Sequence, residues 1–453
     1  MRHRIPFALA CLLGAAGILP AQERIAPPPP DPGPAAPPLP PPPSSSSPVP
    51  VPPTGVSPVP PPGPGPYSLG APYSTRPGFY PPPPGPDVLP PYPHRRFLDC
   101  DPAGDPSFWV GFEGLLWWTR NQPLSVPVVT TGPAAPGGAG ALGAAGTVNL
   151  NGPLNNGVEG GGRLFVGGWF NGDHTFGMEG SLFVLGQQSA SFGVADPTGN
   201  GGFVINEPVA GAPFSTLVSA PGVETGNVFV GATSQLWGGD IDFLFNVYRA
   251  SNLTINLLGG YRYLQLDESL DIVGNSQLLV ATTYLDNFGN TLVTAAPGSS
   301  VGVIDRFHTR NEFNGGQIGT QFSYLWGRWS ITGTAEVAIG ATHEVVTVNG
   351  FTNVFPTNGL PVSLGGGNFA TLQVGRYSTD RFAVAPQAQL KVGYQITPWM
   401  RAEVGYDFLF LSNVARPGNQ IDNTFDGAAH PSVPMAGSSY WAQGLNLGLQ
   451  FRF

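Results

Sequence analysis

The sequence predicts an all-β fold: an antiparallel up-and-down transmembrane β-barrel of about 10 strands, with 12 as the alternative, preceded by a disordered proline-rich arm. Three observations predict it. Many segments alternate apolar with small or polar residues, and the connections between them alternate between short and long. In addition, only 10% of the residues are charged, against roughly 25% in soluble domains. We divide the chain into a signal peptide (1–22), a periplasmic linker (23–106) and the barrel (107–453).

The N-terminal segment has the pattern of a secretory signal peptide. Arg2 and Arg4 form a positive start, and a short apolar run follows and ends near Ala21. This run is too short for a membrane helix, so we predict a cleaved signal rather than an anchor.

Charge and cysteine content set two further bounds. The net charge is −9 and Lys391 is the only lysine, so the chain lacks the basic patches that nucleic-acid binding requires. If Cys11 leaves with the signal peptide, Cys100 has no second cysteine with which to form a disulfide.

Residues 23–106 form the proline-rich arm, which contains more than half of the 53 prolines. Such a segment cannot bury a core and is expected to be extended and polyproline-like. It is either a plain spacer or a ligand for a proline-binding partner in the periplasm or cell wall.

Ten segments after the arm have the two-faced pattern of strands, because successive side chains of a strand point to opposite faces. They lie at 108–119, 162–170, 175–185, 226–248, 253–266, 307–325, 329–342, 382–396, 400–411 and 440–453.

The connections favour a membrane barrel. Short ones lie at 171–174, 249–252, 326–328 and 397–399, and long ones near 120–161, 186–225, 267–306, 343–381 and 412–439. Tight periplasmic turns that alternate with long external loops are typical of outer-membrane barrels. In lipid the sheet must close, because an open edge would leave backbone groups without hydrogen-bond partners.

Charged residues on the polar faces are predicted to point into the lumen, since a lipid-facing charge at the bilayer midplane costs about 2–4 kcal/mol. Opposite charges on neighbouring strands, such as Lys391 with Glu403 or Asp407, could then pair inside the lumen. The predicted lumen-facing charges are Glu113, Glu179, Asp240, Asp242, Arg262, Arg310, Glu336, Lys391, Arg401, Glu403, Asp407 and Arg452.

Aromatic residues cluster near the segment ends, as in the interfacial girdles of membrane barrels. The predicted girdle is Trp117, Trp118, Tyr261, Tyr263, Tyr324, Trp326, Trp329, Trp399, Tyr440 and Trp441. The final segment also resembles the signal by which the barrel assembly machinery recognises its clients. Its alternating residues are Leu445, Leu447, Leu449, Phe451 and Phe453.

Residues suited to catalysis are sparse. The six histidines include no pair at metal-ligand spacing, and the best catalytic candidate is His308 with Asp305 and Glu312. Asp240 and Asp242 share a face and could bind a cation, but pairing with other inward charges is the favoured interpretation. We therefore predict no enzyme activity, no cofactor and no metal.

Two charged pairs near segment ends are read as loop features. Asp267 and Glu268 lie where the fifth segment enters its loop, so a solvated rim is expected. Arg416 begins a turn at Arg416-Pro417-Gly418, and Asp422 could pair with it within the loop.

The stretches at 108–119, 177–186, 257–270, 305–319, 327–350 and 406–422 together resemble a family of planctomycete outer-membrane β-barrel proteins, a paralogous set of the BBP type. The resemblance spans nearly all of 108–453. It implies an outer-membrane barrel and implies little chemistry.

The function predicted is that of an outer-membrane barrel with a structural or surface-display role, five long external loops and a narrow, plugged lumen. The alternatives are a small porin-like channel for ions or small solutes, and a secreted soluble β-rich adhesin. The predicted partners are outer-membrane lipid, the barrel assembly machinery, and a periplasmic or cell-wall partner for the arm.

Overall fold

The computed structural model describes residues 2–4, 107–133, 140–196, 203–207, 216–285, 291–371, 373–424 and 431–453. The predicted signal peptide and proline-rich arm therefore lie outside the described residues, except for a three-residue strand at Arg2–Arg4. Within the described part of the chain, no helix is long and apolar enough to cross a bilayer.

Ten antiparallel strands form a closed ring, which confirms the predicted all-β barrel. Each strand pairs with the next along the chain, and the last pairs with the first from Ala442 opposite Thr119 to Arg452 opposite Trp109. The strands are β1 (Phe108–Thr119), β2 (Val158–Trp169), β3 (Phe176–Leu185), β4 (Glu224–Arg249), β5 (Leu253–Leu278), β6 (Ser300–Trp326), β7 (Trp329–Phe355), β8 (Gly375–Thr397), β9 (Met400–Ala415) and β10 (Gly437–Arg452).

Shorter strands extend the barrel or lie in its long connections. Gln188–Asp196 continues the line of β3 along β4, and Val362–Gly365 pairs with β7. A four-stranded sheet joins Thr130–Pro133, Val148–Asn149, Phe203–Glu207 and Thr216–Ser219, while Thr282–Leu285 pairs with Thr291–Ala295 and with Arg2–Arg4. One 3-10 turn, Pro417–Asn419, follows β9.

The two ends of the barrel differ as predicted. The four tight turns, β2–β3, β4–β5, β6–β7 and β8–β9, lie at one end, which we call the turn end. The long connections lie at the other, the loop end.

The outer surface changes character along each long strand. On β5, the outward residues Leu257 and Tyr261 are exposed, whereas further toward the loop end the outward positions are Gln265, Asp267 and Ser269. The same change occurs on β6, from Ile318 and its neighbours to polar residues. The barrel therefore has an apolar belt around its turn-end half and a polar exterior around its loop-end half.

The inner surface changes in the opposite sense. Inward Asn256 and Arg262 of β5 are polar, but inward Leu266, Leu270 and Ile272 are fully buried and apolar. The turn-end half has the polarity expected in lipid, and the loop-end half has the polarity of a water-soluble β-barrel.

This reversal explains why the predicted segments were too short. The fifth segment was placed at 253–266, but β5 continues to Leu278 and has 26 residues. Likewise β6 and β7 have 27 residues each, and extend into regions that were assigned to loops. Alternation persists in these extensions, but its apolar face is the inner one.

Candidate functional site

The lumen of the turn-end half contains a layer of charged side chains, which we call the charged layer. Eleven of the twelve predicted lumen charges lie on inward positions of their strands. They are Glu113, Glu179, Asp240, Asp242, Arg262, Glu336, Lys391, Arg401, Glu403, Asp407 and Arg452.

Arg163 on β2 is the centre of one ion-pair network in this layer. Its guanidinium contacts a Glu113 oxygen at 2.9 Å and an Asp407 oxygen at 2.5 Å, and all three side chains are buried. Lys391 Nζ lies 2.5 Å from the other oxygen of Glu113. The expected pairing of Lys391 with Glu403 or Asp407 is therefore not the direct contact, because Arg163 takes Asp407 and Lys391 reaches Glu113.

Arg163 was missed from the sequence. It lies in the run Val158–Trp169, where five glycines blur the alternation. Its neighbours Leu164 and Val166 are outward and exposed, so their spacing is a signal that could have placed Arg163 on the inner face.

Arg262 on β5 is the centre of a second network. Its Nη2 lies 2.6 Å from a Glu336 oxygen and 3.4 Å from an Asp240 oxygen. Asp242 lies beside this group and accepts a hydrogen bond from Gln317. Here Asp240, Asp242 and Glu336 come within 4.8 Å of one another through one oxygen each, an arrangement that the sequence alone did not predict.

Two adjacent cavities lie among these side chains. One of about 50 Å³ is lined by Asp240, Asp242 and Glu336, and one of about 150 Å³ toward the turn end is lined by Arg401, Arg452 and others. Both are lined in part by Phe165, Glu179, Gln321, Gln389 and Lys391. The charged layer is therefore reached from the turn end.

An apolar layer fills the lumen directly toward the loop end of the charged layer. It packs buried apolar side chains from β1 and from β3 to β10 against one another. Its members are Leu115, Trp117, Phe183, Leu185, Leu236, Leu264, Leu266, Phe313, Ala338, Ala383, Ala385, Leu409, Leu411, Val414, Tyr440 and Ala442. Most of the material that fills the barrel here is thus hydrophobic, although the sequence indicated a plug of charges.

Beyond that layer, the loops fold inward and bury a further ion pair. Arg416 and Glu268 are both fully buried and lie 2.8 Å apart, and Gln122 also donates a hydrogen bond to Glu268. The expectation of a solvated rim at Glu268 and of a pair between Arg416 and Asp422 is wrong. Strand β5 continues past Glu268, and its inner face there is covered by the loop that follows β9.

Asp305 on β6 holds a loop in place near the loop end. Its carboxylate accepts hydrogen bonds from the backbone N–H groups of Asn368, Phe369 and Ala370, at 3.1, 2.9 and 2.6 Å. Burial raises the pKa of Asp305 to about 6, although these hydrogen bonds act in the opposite direction.

The proposed catalytic trio is not assembled. Asp305 points inward, whereas His308 and Glu312 lie on the outer face of β6. His308 instead lies 4.0 Å from Asp267 on the outer surface. An odd separation along a strand puts two residues on opposite faces, which rules out this set.

Arg310 is also an outward residue, so its prediction as a lumen charge is wrong. It pairs with Asp267 at 2.8 Å on the exterior, and its side chain is about half exposed. It lies above the apolar belt, where an outward charge faces water rather than lipid. The free-energy cost of a lipid-facing charge, which was the reason for placing Arg310 inside, does not apply there.

Two members of the predicted aromatic girdle belong to the interior. Trp117 is fully buried, and its Nε1 donates to Asn446 Oδ1 at 2.8 Å. Tyr440 is buried against the guanidinium of Arg416. Both lie at positions where the inner face has become apolar, so an aromatic side chain fits the apolar layer.

The remaining girdle residues lie on the outer surface. Near the turn end these are Tyr324, Trp326, Trp329 and Trp399, and further along their strands are Trp118, Tyr261, Tyr263 and Trp441. Leu445, Leu447, Leu449, Phe451 and Phe453 alternate along the outer face of β10 and at its end.

These features define a class: a closed β-barrel of the outer-membrane type, with an apolar belt and a charged interior. The family model "Putative beta barrel porin-7 (BBP7)" matches residues 109–453, and the chain belongs to that family. No curated protein matches the sequence.

Among solved structures, similar folds include the outer membrane protease OmpT of Escherichia coli and the toluene transporter TodX of P. putida. For OmpT the identity is 10%, the TM-score is 0.35, and 76% of this chain and 96% of that chain are covered. For TodX the identity is 8%, the TM-score is 0.19, and the coverages are 77% and 90%. These values are too low to carry information about function.

Proposed function

We propose that this protein is a sealed outer-membrane barrel whose loop-end half supports surface-exposed loops. The observation that carries the proposal is the apolar layer across the lumen, which would block the passage of water and hydrated ions. Residues of the loops add a second buried cluster beyond it, including Val128, Ile205 and Phe369. A lumen filled in this way favours a structural or display role.

The outer-membrane location is supported by the family and by the apolar belt. Exposed Phe112, Ile241, Ile318, Leu390 and Val404 lie on different strands around the ring. An apolar surface of this extent is unfavourable in water and matches the lipid-facing band of membrane barrels. The planctomycete source and the arm's periplasmic or cell-wall partner stay predictions.

Single-channel recording in planar bilayers tests the sealed lumen. The purified, folded protein is expected to insert without persistent conductance steps, whereas an open porin treated in the same way gives them. Persistent steps from the wild-type protein would contradict the proposal and favour the alternative, a small channel.

A matched pair of variants links the result to the apolar layer. Trp117→Ala removes the largest side chain of the layer, and Trp118→Ala removes the neighbouring outward ring. Any residual leak should increase in Trp117→Ala and stay unchanged in Trp118→Ala. Equal leaks in the two variants would mean that current does not pass through the lumen.

The channel alternative keeps one specific observation in its favour. The charged layer and its two cavities form a polar vestibule from the turn end, as a pore lining would. Conduction would require the apolar layer to open, which the same recordings would detect as voltage-dependent steps.

A further inference from the structure

We propose that Asp240, Asp242 and Glu336 form a binding site for one hard divalent cation, such as Ca²⁺, inside the barrel. The site lies in the cavity of about 50 Å³ within the charged layer. Carboxylate and carbonyl oxygens are the ligands that Ca²⁺ and Mg²⁺ prefer in proteins. Among the described residues, these three are the group whose ligand atoms converge within 4.8 Å.

An unpartnered oxygen of Asp242 points to a ligand independently of the cluster itself. Asp242 is only 6% exposed, and it lines the cavity. One of its oxygens is held by the Gln317 amide, but Oδ1 accepts no hydrogen bond from any described residue. A buried carboxylate oxygen without a partner is strongly unfavourable, and a bound cation would satisfy it.

The side chain of Gln317 offers a neutral oxygen ligand beside Asp242. It is 3% exposed, and its Oε1 likewise accepts no hydrogen bond from a described residue. Because its amide nitrogen bonds Asp242, this carbonyl oxygen lies close to the site and could complete the coordination.

Glycines on the neighbouring strands leave the space that the carboxylates occupy. A Cβ added to Gly260 would lie 2.4 Å from Asp242 Oδ1, and one added to Gly319 would lie 2.6 Å from Glu336 Cγ. A side chain at either position would collide with the backbone of the neighbouring strand and with the space that these carboxylates occupy. The wall of the barrel is therefore shaped to let the three groups converge.

The local charge balance favours a divalent ion. Three carboxylates carry a charge of −3 and Arg262, which contacts Asp240 and Glu336, contributes +1, which leaves −2. The other nearby cations are engaged elsewhere, since Arg163 pairs with Glu113 and Asp407, and Lys391 pairs with Glu113. A divalent cation would neutralise the charge that remains on these four side chains, and Glu179, which lines the same cavity, makes the site still more favourable for a cation.

Access to the site is from the turn end. The 50 Å³ cavity shares lining residues with the larger cavity there, and the apolar layer lies on its other side. The ion would therefore enter and leave through the vestibule without crossing the barrel. Such an ion would bind in a blind pocket and would not be transported.

Calorimetric titration of the folded protein with CaCl₂ tests the proposal. The protein is purified in a neutral detergent, treated with EDTA and dialysed, and its folded state is checked by its altered migration on an unheated gel. We expect one Ca²⁺ per chain, and competition by Mg²⁺. No saturable binding by the folded wild-type protein would overturn the proposal.

Variants assign the binding to the cluster. Asp242→Asn is expected to weaken Ca²⁺ binding by about tenfold or more, because it removes the charge of one ligand. Glu403→Gln is the matched control, because Glu403 also lies in the lumen but outside the cluster, and it should bind as the wild type does. Equal binding by Asp242→Asn and wild type would refute the assignment and indicate adventitious binding only.

A second measurement keeps the test decisive if Asp242→Asn fails to fold. Glu336→Gln then replaces it in the titration. In parallel, Ca²⁺ should raise the unfolding temperature of the wild-type protein, since an ion that binds only the folded state stabilises it. NaCl at equal ionic strength should not, and equal effects of the two salts would count against the site.

Discussion

Arg163 shows how single side chains hold the interior of this barrel together. It joins β1, β2 and β9 by contacting Glu113 and Asp407, and its guanidinium also lies over the rings of Trp117 and Phe183. One side chain thereby connects the charged layer to the apolar layer above it.

Arg163→Met is expected to lower the free energy of unfolding by about 3–5 kcal/mol, because it leaves a buried carboxylate without its cation. Glu113 would keep Lys391, but Asp407 would lose its ionic partner among the described residues. Urea unfolding in detergent or in vesicles measures the change.

Two comparisons make this prediction specific. The double variant Arg163→Met/Asp407→Asn should recover part of the loss, because it removes the unpaired charge. Arg310→Met, which breaks an exposed pair with Asp267, should change stability by about 0–1 kcal/mol. A larger effect of Arg310→Met than of Arg163→Met would contradict this account.

Asp305 gives a prediction about pH, and it lies above the apolar belt. Its pKa is raised from 3.8 to about 6, chiefly by burial. The folded state therefore binds the proton more tightly than the unfolded chain does. This contribution to stability is fully present below about pH 4 and is lost as the pH rises through 6.

Replacing Asp305 by Asn should therefore flatten the decrease in stability between about pH 4 and pH 7. Chemical unfolding at a series of pH values measures this slope. Nearby Glu207 is fully buried, and its pKa is also raised well above normal, so some decrease at higher pH should remain. An unchanged slope in Asp305→Asn would show that this carboxyl does not titrate in the folded protein as expected.

The identity of the inward charges could largely be predicted at this scale, but their partners could not. Glu113, Arg163 and Asp407 meet across a register set by four strands, β9, β10, β1 and β2, and by the closure of the ring. Such contacts depend on the stagger of the strands, which the alternation of a single segment does not contain. The convergence of Glu336 on Asp240 and Asp242 escaped prediction for the same reason.

At the scale of the strand, the alternation of side chains predicted reliably where strands lie. The polarity of the outer face did not predict where they end. Prediction found ten strands and their tight turns, because the belt supplies an apolar outer face at both sides of each turn. It ended β5 and β7 too early and began β6 too late, because outward residues such as Asp267 and Arg306 were assigned to loops. A reversal of the two faces, with the period unchanged, marks the point where a strand leaves the belt.

An added charge on the apolar belt should lower folding stability, whereas an added charge on the polar loop-end exterior should not. Val404→Arg places a cation in the middle of the belt and is expected to cost about 2–4 kcal/mol of folding stability in a bilayer. Asn227→Arg, at an exposed outward position of β4 above the belt, should be close to neutral. Unfolding in lipid vesicles measures both changes.

The critical result is the difference between the losses of folding stability that the two variants cause. If Val404→Arg and Asn227→Arg destabilise the protein equally, the belt does not face lipid. In detergent-free buffer, a folded and monodisperse wild-type protein would lead to the same conclusion.

For the molecule as a whole, two features fit insertion into a bilayer: the sheet is closed, and its tight turns and long loops lie at opposite ends. Pairing of β10 with β1 removes both free edges of the sheet, which a bilayer demands. The tight turns lie at one end and the long connections at the other, so a single insertion direction puts all the long loops on the same side. The sequence predicted this arrangement from the lengths of the connections alone, which need no knowledge of register.

Cysteine labelling in intact cells tests that direction. In a Cys100→Ser background, Ala145→Cys lies in the long connection after β1 and Ser251→Cys lies in the tight turn after β4, and both positions are exposed. A membrane-impermeant maleimide should label Ala145→Cys in intact cells if the long loops face the medium, as we propose. It should label Ser251→Cys only after the outer membrane is permeabilised. Labelling of Ser251→Cys alone in intact cells would reverse the orientation, and equal labelling of both would argue for a secreted soluble protein.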